Sequence, residues 1–583
     1  MLYFPAAMML RSILPILTLL SIARTQEYQP TEECPLLGPT FFSDFDLTTT
    51  DAFAEAQASF PDVIEALFNA GVVNSSTSSF TIDVYSTVTN TSVYNYSHQA
   101  TEPALDEEFP EGGIDDETIF RIGSVSKLVT VYAILVQAGS LEVLTHPITD
   151  YLPELAGNSR NDPLNKIVWE DVTIGTLASH MAGSAQFPLV HLACLTPGDP
   201  GCTTAEFLEY MKDIRVPSQP VHQSSLYSDG GFGVLGRALE RMTGQNYSEA
   251  IQSVLGESLG LNSTTTFMPE GDDVNALVIP GDPSVSSWGL DNQFTAPSGG
   301  IYSTNADLRA IGMSILHSQI LSPADTRAWL KPHAHTSSLT SSVGAPWEIS
   351  RLTLSVSTNS TRRRVSDLYT KAGGQAGYTS VFALSPDHKL GYSVQVAGPG
   401  SGLDRWTIRA AVGETFVVAA EHAAFEHAER HFQGTFAGGS GSDTNLTFTV
   451  EDDHPGLGLS EFFINGTDAM LNLTLPGLAA LPEGLEQAVR LYPTGLEEIL
   501  GDGGKRLKYR AVNQVIPLTP RALVEGGQSL FDDGCATWVS TSFFESPTGQ
   551  FYDEFQLDVD SDGVLVAVTY PVAGITLEKS DDE

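Results

Sequence analysis

Basic residues are scarce in this chain. Only 29 lysines and arginines stand against 71 aspartates and glutamates over 583 residues, a formal net charge of −42. A field of that sign repels phosphate backbones and anionic lipid, which argues against nucleic acid or an acidic membrane as partner and fits solubility in an exposed medium. Cysteine is scarcer still, with four residues, and their spacing has no zinc-ligand pattern. Long apolar runs are missing beyond the N-terminus, so no later segment is long enough to span a bilayer. No internal repeat or long low-complexity tract is present. What remains is a globular chain with 42% hydrophobic residues. It is too long for one core, so two domains are the default.

The N-terminus suggests the medium. Arg11 precedes the apolar run Ile13 to Leu20, and Ser21, Ile22 and Ala23 supply small residues where a signal peptidase cuts. Residues 1–23 therefore read as the signal peptide of a secreted, extracellular protein. Asn74, Asn90, Asn95, Asn246, Asn262, Asn359, Asn445, Asn465 and Asn472 each open an NxS or NxT triplet, where about three or four are expected by chance. That excess points to a glycoprotein on a eukaryotic secretory route. In an oxidising compartment four cysteines suit two disulfides. Cys194 and Cys202 bracket a turn-rich loop they could close locally, which leaves Cys34 and Cys535 to tie the mature N-terminus to the far end. All three connectivities stay open.

Periodicity gives a coarse map. Pro61 to Phe68 reads as a helix, and Phe80 to Tyr85 with Ser92 to Tyr96 as a strand hairpin. From Ser124 the residues Leu128, Val129, Tyr132, Ala133, Leu135 and Val136 make an apolar helix that stops at Gly139. A mostly helical middle runs to about residue 330. Strands return at Arg351 to Val356, Thr379 to Leu384 and Gly391 to Val396, and a helix is predicted from Trp406 to His422. Near His431 the composition shifts. A Gly- and Ser-rich stretch, Gly434 to Asp443, opens a tail of short alternating runs such as Leu446 to Val450, Phe555 to Val559 and Gly563 to Val568. The expected organisation is a signal peptide, a domain over residues 24–430 with an N-terminal extension to about residue 50, and a β-rich domain over residues 431–583.

Chemistry enters with Ser124-Val125-Ser126-Lys127, the only SxxK in the chain. Positions i and i+3 share one helix face, so the Lys127 amine can reach the Ser124 hydroxyl. With its pKa lowered by burial or a second cation, Lys127 could take the serine proton. The bland alternative is a capped helix with Lys127 as a surface charge. Two further segments carry what such a nucleophile needs. Tyr227-Ser228-Asp229 offers a tyrosine that could relay a proton to a leaving group. Lys371-Ala372-Gly373-Gly374 offers a cation, and glycines that let a substrate backbone approach; an N–H at Gly374 could pair with that of Ser124 as an oxyanion hole.

In order and spacing, SVSK at 124–127, YSD at 227–229 and KAG at 371–373 resemble the SxxK, YxN and KTG motifs of the serine β-lactamase and penicillin-binding-protein-like hydrolases, especially the class C and esterase branch. Flanking stretches at 151–155, 177–183 and 297–304 also look like that family, and the resemblance covers about residues 50–430. It implies an α/β (α+β) β-lactamase/transpeptidase-like fold, an antiparallel sheet flanked by helices beside an all-helical lobe, with the site between them. It also implies Ser124 as nucleophile, Lys127 and Tyr227 as the proton-transfer pair, Lys371 as the cation that holds Tyr227 or a substrate anion, and Gly373 and Gly374 on the oxyanion side. No metal or cofactor is required, and the partner is a small-molecule acyl substrate. Oligomeric state is left open.

Two residues depart from the pattern. Asp229 replaces asparagine and, when ionised, accepts but cannot donate; it could neutralise Lys127 and Lys371. Ala372 lacks the hydroxyl that KTG turns toward a substrate carboxylate. Both changes move the expected acyl donor from penicillin toward an ester or another acyl group. Three readings follow: a secreted serine hydrolase, an acyltransferase of the same fold, and a catalytically silent binding protein.

Other motifs read as decoys. Gly256-Glu257-Ser258-Leu259-Gly260 spells GxSxG, but a helix precedes it where a nucleophile elbow needs a strand. Asp558 to Gly563 imitates an EF-hand start, yet its twelfth position is Thr569 and strands flank it. His180 is assigned a structural hydrogen bond, and Asp115, Asp116 and Glu117 a solvated surface.

Overall fold

The computed structural model describes residues 35–186, 203–271, 274–451, 454–473, 485–501, 503–517 and 537–580. The expected signal peptide and all four cysteines, Cys34, Cys194, Cys202 and Cys535, lie outside the described residues.

Helix α1 (Asp51–Asn69) starts well before the expected Pro61, which sits inside it. Thr50 caps it by accepting from Phe53 N, and its buried stripe of Phe53, Ala56, Phe60 and Ile64 recurs at helical spacing on either side of the proline. Strands β1 (Ser79–Ser86) and β2 (Thr91–His98) form the predicted hairpin. After β3 (Phe120–Arg121) comes α2 (Ser126–Ala138), which ends where Gly139 takes φ 69°. Helix α3 (Asp229–Thr243), strand β4 (Tyr302–Ser303) and helix α4 (Asn305–Leu316) belong to the middle region.

The remaining strands of the main sheet are β5 (Ala334–His335), β6 (Ser341–Val343), β7 (Glu348–Ser355), β8 (Arg363–Gln375), β9 (Tyr378–Ser385) and β10 (Leu390–Ala397). Eight strands pair antiparallel in the order β2-β1-β10-β9-β8-β7-β6-β5. Every residue of β1, β9 and β10 is buried, so these central strands are covered on both faces. Alternate side chains of β9 show why: Val381 and Ala383 enter one core, Phe382 and Leu384 the other. The first core holds α1, α5 (Ser401–Val412) and α6 (Val418–His431). A π-helical turn at Gly413–Val417 divides these two, where the sequence suggested one helix. The second core is the helical lobe built on α2 and α3.

Beyond α6 the chain turns to β11 (Gly434–Ala437), β12 (Asn445–Thr449), β13 (Leu457–Ile464), β14 (Thr467–Asp468), β15 (Leu485–Ile499), β16 (Lys505–Pro517), β17 (Glu554–Val559), β18 (Leu565–Tyr570) and β19 (Ile575–Lys579). Their order is β12-β11-β19-β18-β17-β16-β15-β13-β14, and the extra pairing of β12 with β13 closes a barrel to which β14 is appended. Phe436, Phe448, Phe462, Phe555 and Tyr570 fill it with ring contacts. Phe41, Phe42 and Phe45 link the barrel to α6: Phe42 lies 5.6 Å from Phe432, and Phe45 stacks at 4.1 Å on His427. These described contacts are with α6, on the sheet face opposite the helical lobe.

The decoys resolve locally. Ser258 lies in a helical turn with its hydroxyl on the Val254 carbonyl, with no strand before it. Asp560 Oδ1 accepts from Asp562 N and Val564 N in a hairpin turn between β17 and β18. The acidic cluster lies at the surface as expected, with Asp115 and Glu117 exposed and Asp116 half-buried, and it also has local partners. Asp115 Oδ1 accepts from Thr118 and Asn275, and Asp116 pairs with Arg309 at 3.2 Å, so it pins a loop to α4. Of the sequons, Asn74, Asn90, Asn95, Asn246, Asn262, Asn359 and Asn465 are exposed and Asn445 is half-buried in β12. The Asn472 side chain lies outside the described residues.

Candidate active site

Ser124 is held by the turn that enters α2. Gly123 takes φ 50° and Ser124 sits in a short 3-10 turn, Gly123–Val125, that runs into α2. Ser126 braces that turn, donating to Gly123 O at 2.7 Å and accepting from Ile301 N at 3.1 Å. From β9, Ser380 donates to Ile122 O at 2.6 Å. The rigid turn leaves the Ser124 side chain partly open while Lys127 is fully buried.

Lys127 is no surface charge. Its Nζ lies 3.0 Å from Ser124 Oγ, 2.6 Å from Asp229 Oδ1 and 2.6 Å from the Ser298 carbonyl. It also faces the Tyr227 ring, 4.7 Å from its centroid. Of the two expected influences on this amine, burial or a second cation, the structure shows burial, and its nearest charged partner is the Asp229 carboxylate at the first turn of α3. Tyr227 stands between the lysines, with Lys371 Nζ 5.2 Å from its ring centroid. His180 stacks on it at 4.4 Å and accepts from Ser228 N at 3.1 Å through Nδ1. Burial, reinforced by Lys127 and Lys371, pushes the His180 imidazole well below its ordinary value. A neutral ring therefore backs the tyrosine.

Lys371 is on β8, and it is completely buried. The expectation that Asp229 serves both lysines is corrected here. Lys371 Nζ meets Glu348 Oε1 at 2.5 Å, whereas Asp229 serves Lys127. Burial opposes the Lys371 charge, but Glu348, then Tyr227, outweigh it and raise the pKa. Glu348 opens β7 opposite Thr370. Only strand register connects it with Lys371, and nothing in the linear pattern could have found it.

Two glycines bring β8 against the start of α2. A Cβ on Gly123 would collide with the Gly374 nitrogen, and one on Gly373 would lie 2.9 Å from the Ser124 nitrogen. Ala372 N donates to Glu348 Oε2 at 3.0 Å, on the β7 side. Strand alternation sends the Gly374 N–H to the same edge, past the point where β7 begins. The N–H groups of Ser124 and Gly374 are thus neighbours beside the serine hydroxyl, a geometry suited to a developing oxyanion. Below them Arg121 donates to Gln375 Oε1 at 2.9 Å and 3.2 Å. A groove of about 660 Å³ leads away from Gly374, with Val285, Ser401 and Arg405 on its walls.

Residues 86–414 match the β-lactamase family model. The protein belongs to the β-lactamase family. Residues 424–581 match a second model, that of a beta-lactamase-like C-terminal domain. Among relatives of this β-lactamase-like hydrolase, a beta-lactamase-like protein of Arthroderma benhamiae is 28% identical over 422 residues, 66% of this chain and 68% of its own length. A probable hydrolase of Cochliobolus lunatus, clz13, is 28% identical over 407 residues, 61% of this chain and 63% of its own. The chain thus spans about two thirds of the length of these curated relatives. The crystal structure of a class C beta lactamase from Rhodobacter sphaeroides aligns with TM-score 0.42 and 18% identity, covering 65% of this chain and 99% of that one.

Proposed function

We propose that this chain is a secreted serine hydrolase that cleaves esters, or amides, of a small acyl substrate through a covalent acyl-enzyme on Ser124. The observation that carries the reading is the set of three oxygens around Lys127 Nζ: Ser124 Oγ, Asp229 Oδ1 and Ser298 O. As an amine Lys127 has two N–H groups for Asp229 and Ser298 and a lone pair for the Ser124 proton. As an ammonium it has three N–H groups for the same three oxygens, so both states of a general base are satisfied without rearrangement.

In this reading Ser124 Oγ attacks the acyl carbon as its proton passes to Lys127. The oxyanion forms against the N–H groups of Ser124 and Gly374. Tyr227, with the buried Lys371 cation 5.2 Å from its ring centroid, transfers a proton to the leaving oxygen or nitrogen, and later helps activate water for deacylation. Esters are favoured over amides because Asp229, tied to Lys127, offers no N–H to a substrate amide and Ala372 no hydroxyl. The N-terminal signal and the exposed sequons support secretion.

Labelling with a fluorophosphonate or a fluorescent penicillin, with the adduct located by mass spectrometry, tests the reading. The expected adduct is on Ser124 and is lost in Ser124→Ala; no adduct at Ser124 under any condition would leave a binding protein. Hydrolysis of p-nitrophenyl acetate with and without added alcohols then separates hydrolase from acyltransferase.

A further inference from the structure

Each lysine of the site has its own carboxylate. Lys127 meets Asp229 at 2.6 Å and Lys371 meets Glu348 at 2.5 Å. The lysine side chains are 0% and 1% exposed, the two acids 32% and 39%. A substrate entering from solvent therefore meets the carboxylates first, with the cations behind them.

Glu348 does more than cancel one charge. Its Oε2 accepts from Ala372 N at 3.0 Å, on the stretch of β8 that extends beyond the start of β7. That occupies a backbone donor which a substrate carboxylate could otherwise use. Arg405 nearby is already committed, its Nη1 donating to the Gly373 carbonyl and its guanidinium lying 4.3 Å over Trp406. One partly exposed acid thus neutralises the Lys371 ammonium and occupies a backbone donor at the mouth of the site. A substrate carboxylate placed there would face a like charge and one fewer free donor, while an uncharged ester would lose nothing.

We infer that Glu348 is a specificity-determining residue that turns the Ser124 site toward uncharged acyl donors and against donors carrying a carboxylate near the scissile bond. The inference rests on Ser124 being the nucleophile.

The test compares two esters with one leaving group, p-nitrophenyl butyrate and mono-p-nitrophenyl succinate, on the full chain, Glu348→Gln and Glu348→Asp. Glutamine keeps an acceptor for Ala372 N–H and removes the charge; aspartate keeps the charge. Wild type is expected to prefer the butyrate in kcat/KM. Glu348→Gln should shift the ratio at least about tenfold toward the succinate, and Glu348→Asp should keep it near the wild-type value. An unshifted ratio in Glu348→Gln, or a wild type that prefers the succinate, overturns the inference. A reading that needs no variant comes from wild-type inhibition: phenylboronic acid should bind more tightly than its 3-carboxy derivative, and the reverse order is equally fatal. If Ser124 is labelled by fluorophosphonate but these preferences are absent, only the role of Glu348 falls. If Ser124 is never labelled, the hydrolase reading falls with it.

Discussion

Three oxygens around one nitrogen decide how Lys127 behaves, and they make its replacement costly. Lys127→Met removes the proposed base and leaves Asp229 and the Ser298 carbonyl without their donor. Ester kcat/KM should fall by roughly 10²- to 10⁴-fold, measured by p-nitrophenyl ester hydrolysis, while a circular dichroism spectrum reports whether the fold is kept. Asp229→Asn is the complementary change. Its carbonyl can still accept from Lys127, and its amide restores a donor toward a substrate amide. Turnover of β-lactam or amide relative to ester should rise, and an unchanged ratio would contradict the account of Asp229. At this scale the motif spacing already pointed to Ser124, Lys127, Tyr227 and Lys371. It could not reveal the partner of Lys371, because Glu348 is reached only across a strand pair.

At the scale of elements, the site depends on β8 lying against the first turn of α2. Gly373 is where the two backbones come closest: an added Cβ would strike the Ile122 carbonyl and lie 2.6 Å from Ser380 Oγ, which braces that same carbonyl. Gly373→Ala should therefore push β8 away from the helix start and spread the two N–H groups proposed to hold the oxyanion. The expected result is a loss of about 10²-fold or more in kcat, with a change in KM no larger than that in kcat. A strand shift of this kind also disturbs β8 pairing with β9, so a lower melting temperature should accompany it. The sequence pattern predicts strands at 351–356 and 379–384 and leaves 371–374 unassigned between them. Pairing with β9, from Lys371 opposite Phe382 to Gly374 opposite Thr379, makes it strand.

For the whole molecule, the boundary near His431 is a change of architecture without a break in packing. Phe41, Phe42 and Phe45, helices α1 and α6 and the barrel residues Phe436, Leu565 and Leu577 belong to one continuous core. A chain truncated after residue 430 should expose that apolar face and aggregate, whereas two independent units would leave the remaining part soluble and active; expression and size-exclusion chromatography decide. The same contact gives a pH dependence. Burial, then His431 and Arg430, lowers the His427 imidazole from 6.5 to about 4. The unfolded chain binds a proton near pH 6.5 that the folded chain refuses until about pH 4. The stability this neutral histidine contributes is thus present above pH 6.5 and lost progressively as the pH falls toward 4. His427→Phe should gain stability relative to wild type between about pH 7 and about pH 4.5, by up to ~2 kcal/mol, read from chemical denaturation at both pH values. Asp83, raised to about 6 by burial, acts in the opposite sense but is common to both chains and cancels in the difference.

What the amino-acid sequence determined by itself is what local geometry can express. A serine and a lysine three residues apart share a helix face wherever that helix goes, and Gly139 stops it because a left-handed cap needs no Cβ. Ordered motifs carried the family and the remaining candidate residues. Tertiary structure alone decided that Lys127 is buried against Asp229, that Glu348 claims Lys371, and that the barrel shares its core with α1 and α6. Those outcomes depend on strand register and on which apolar faces meet, and both arise from contacts between residues far apart in the chain.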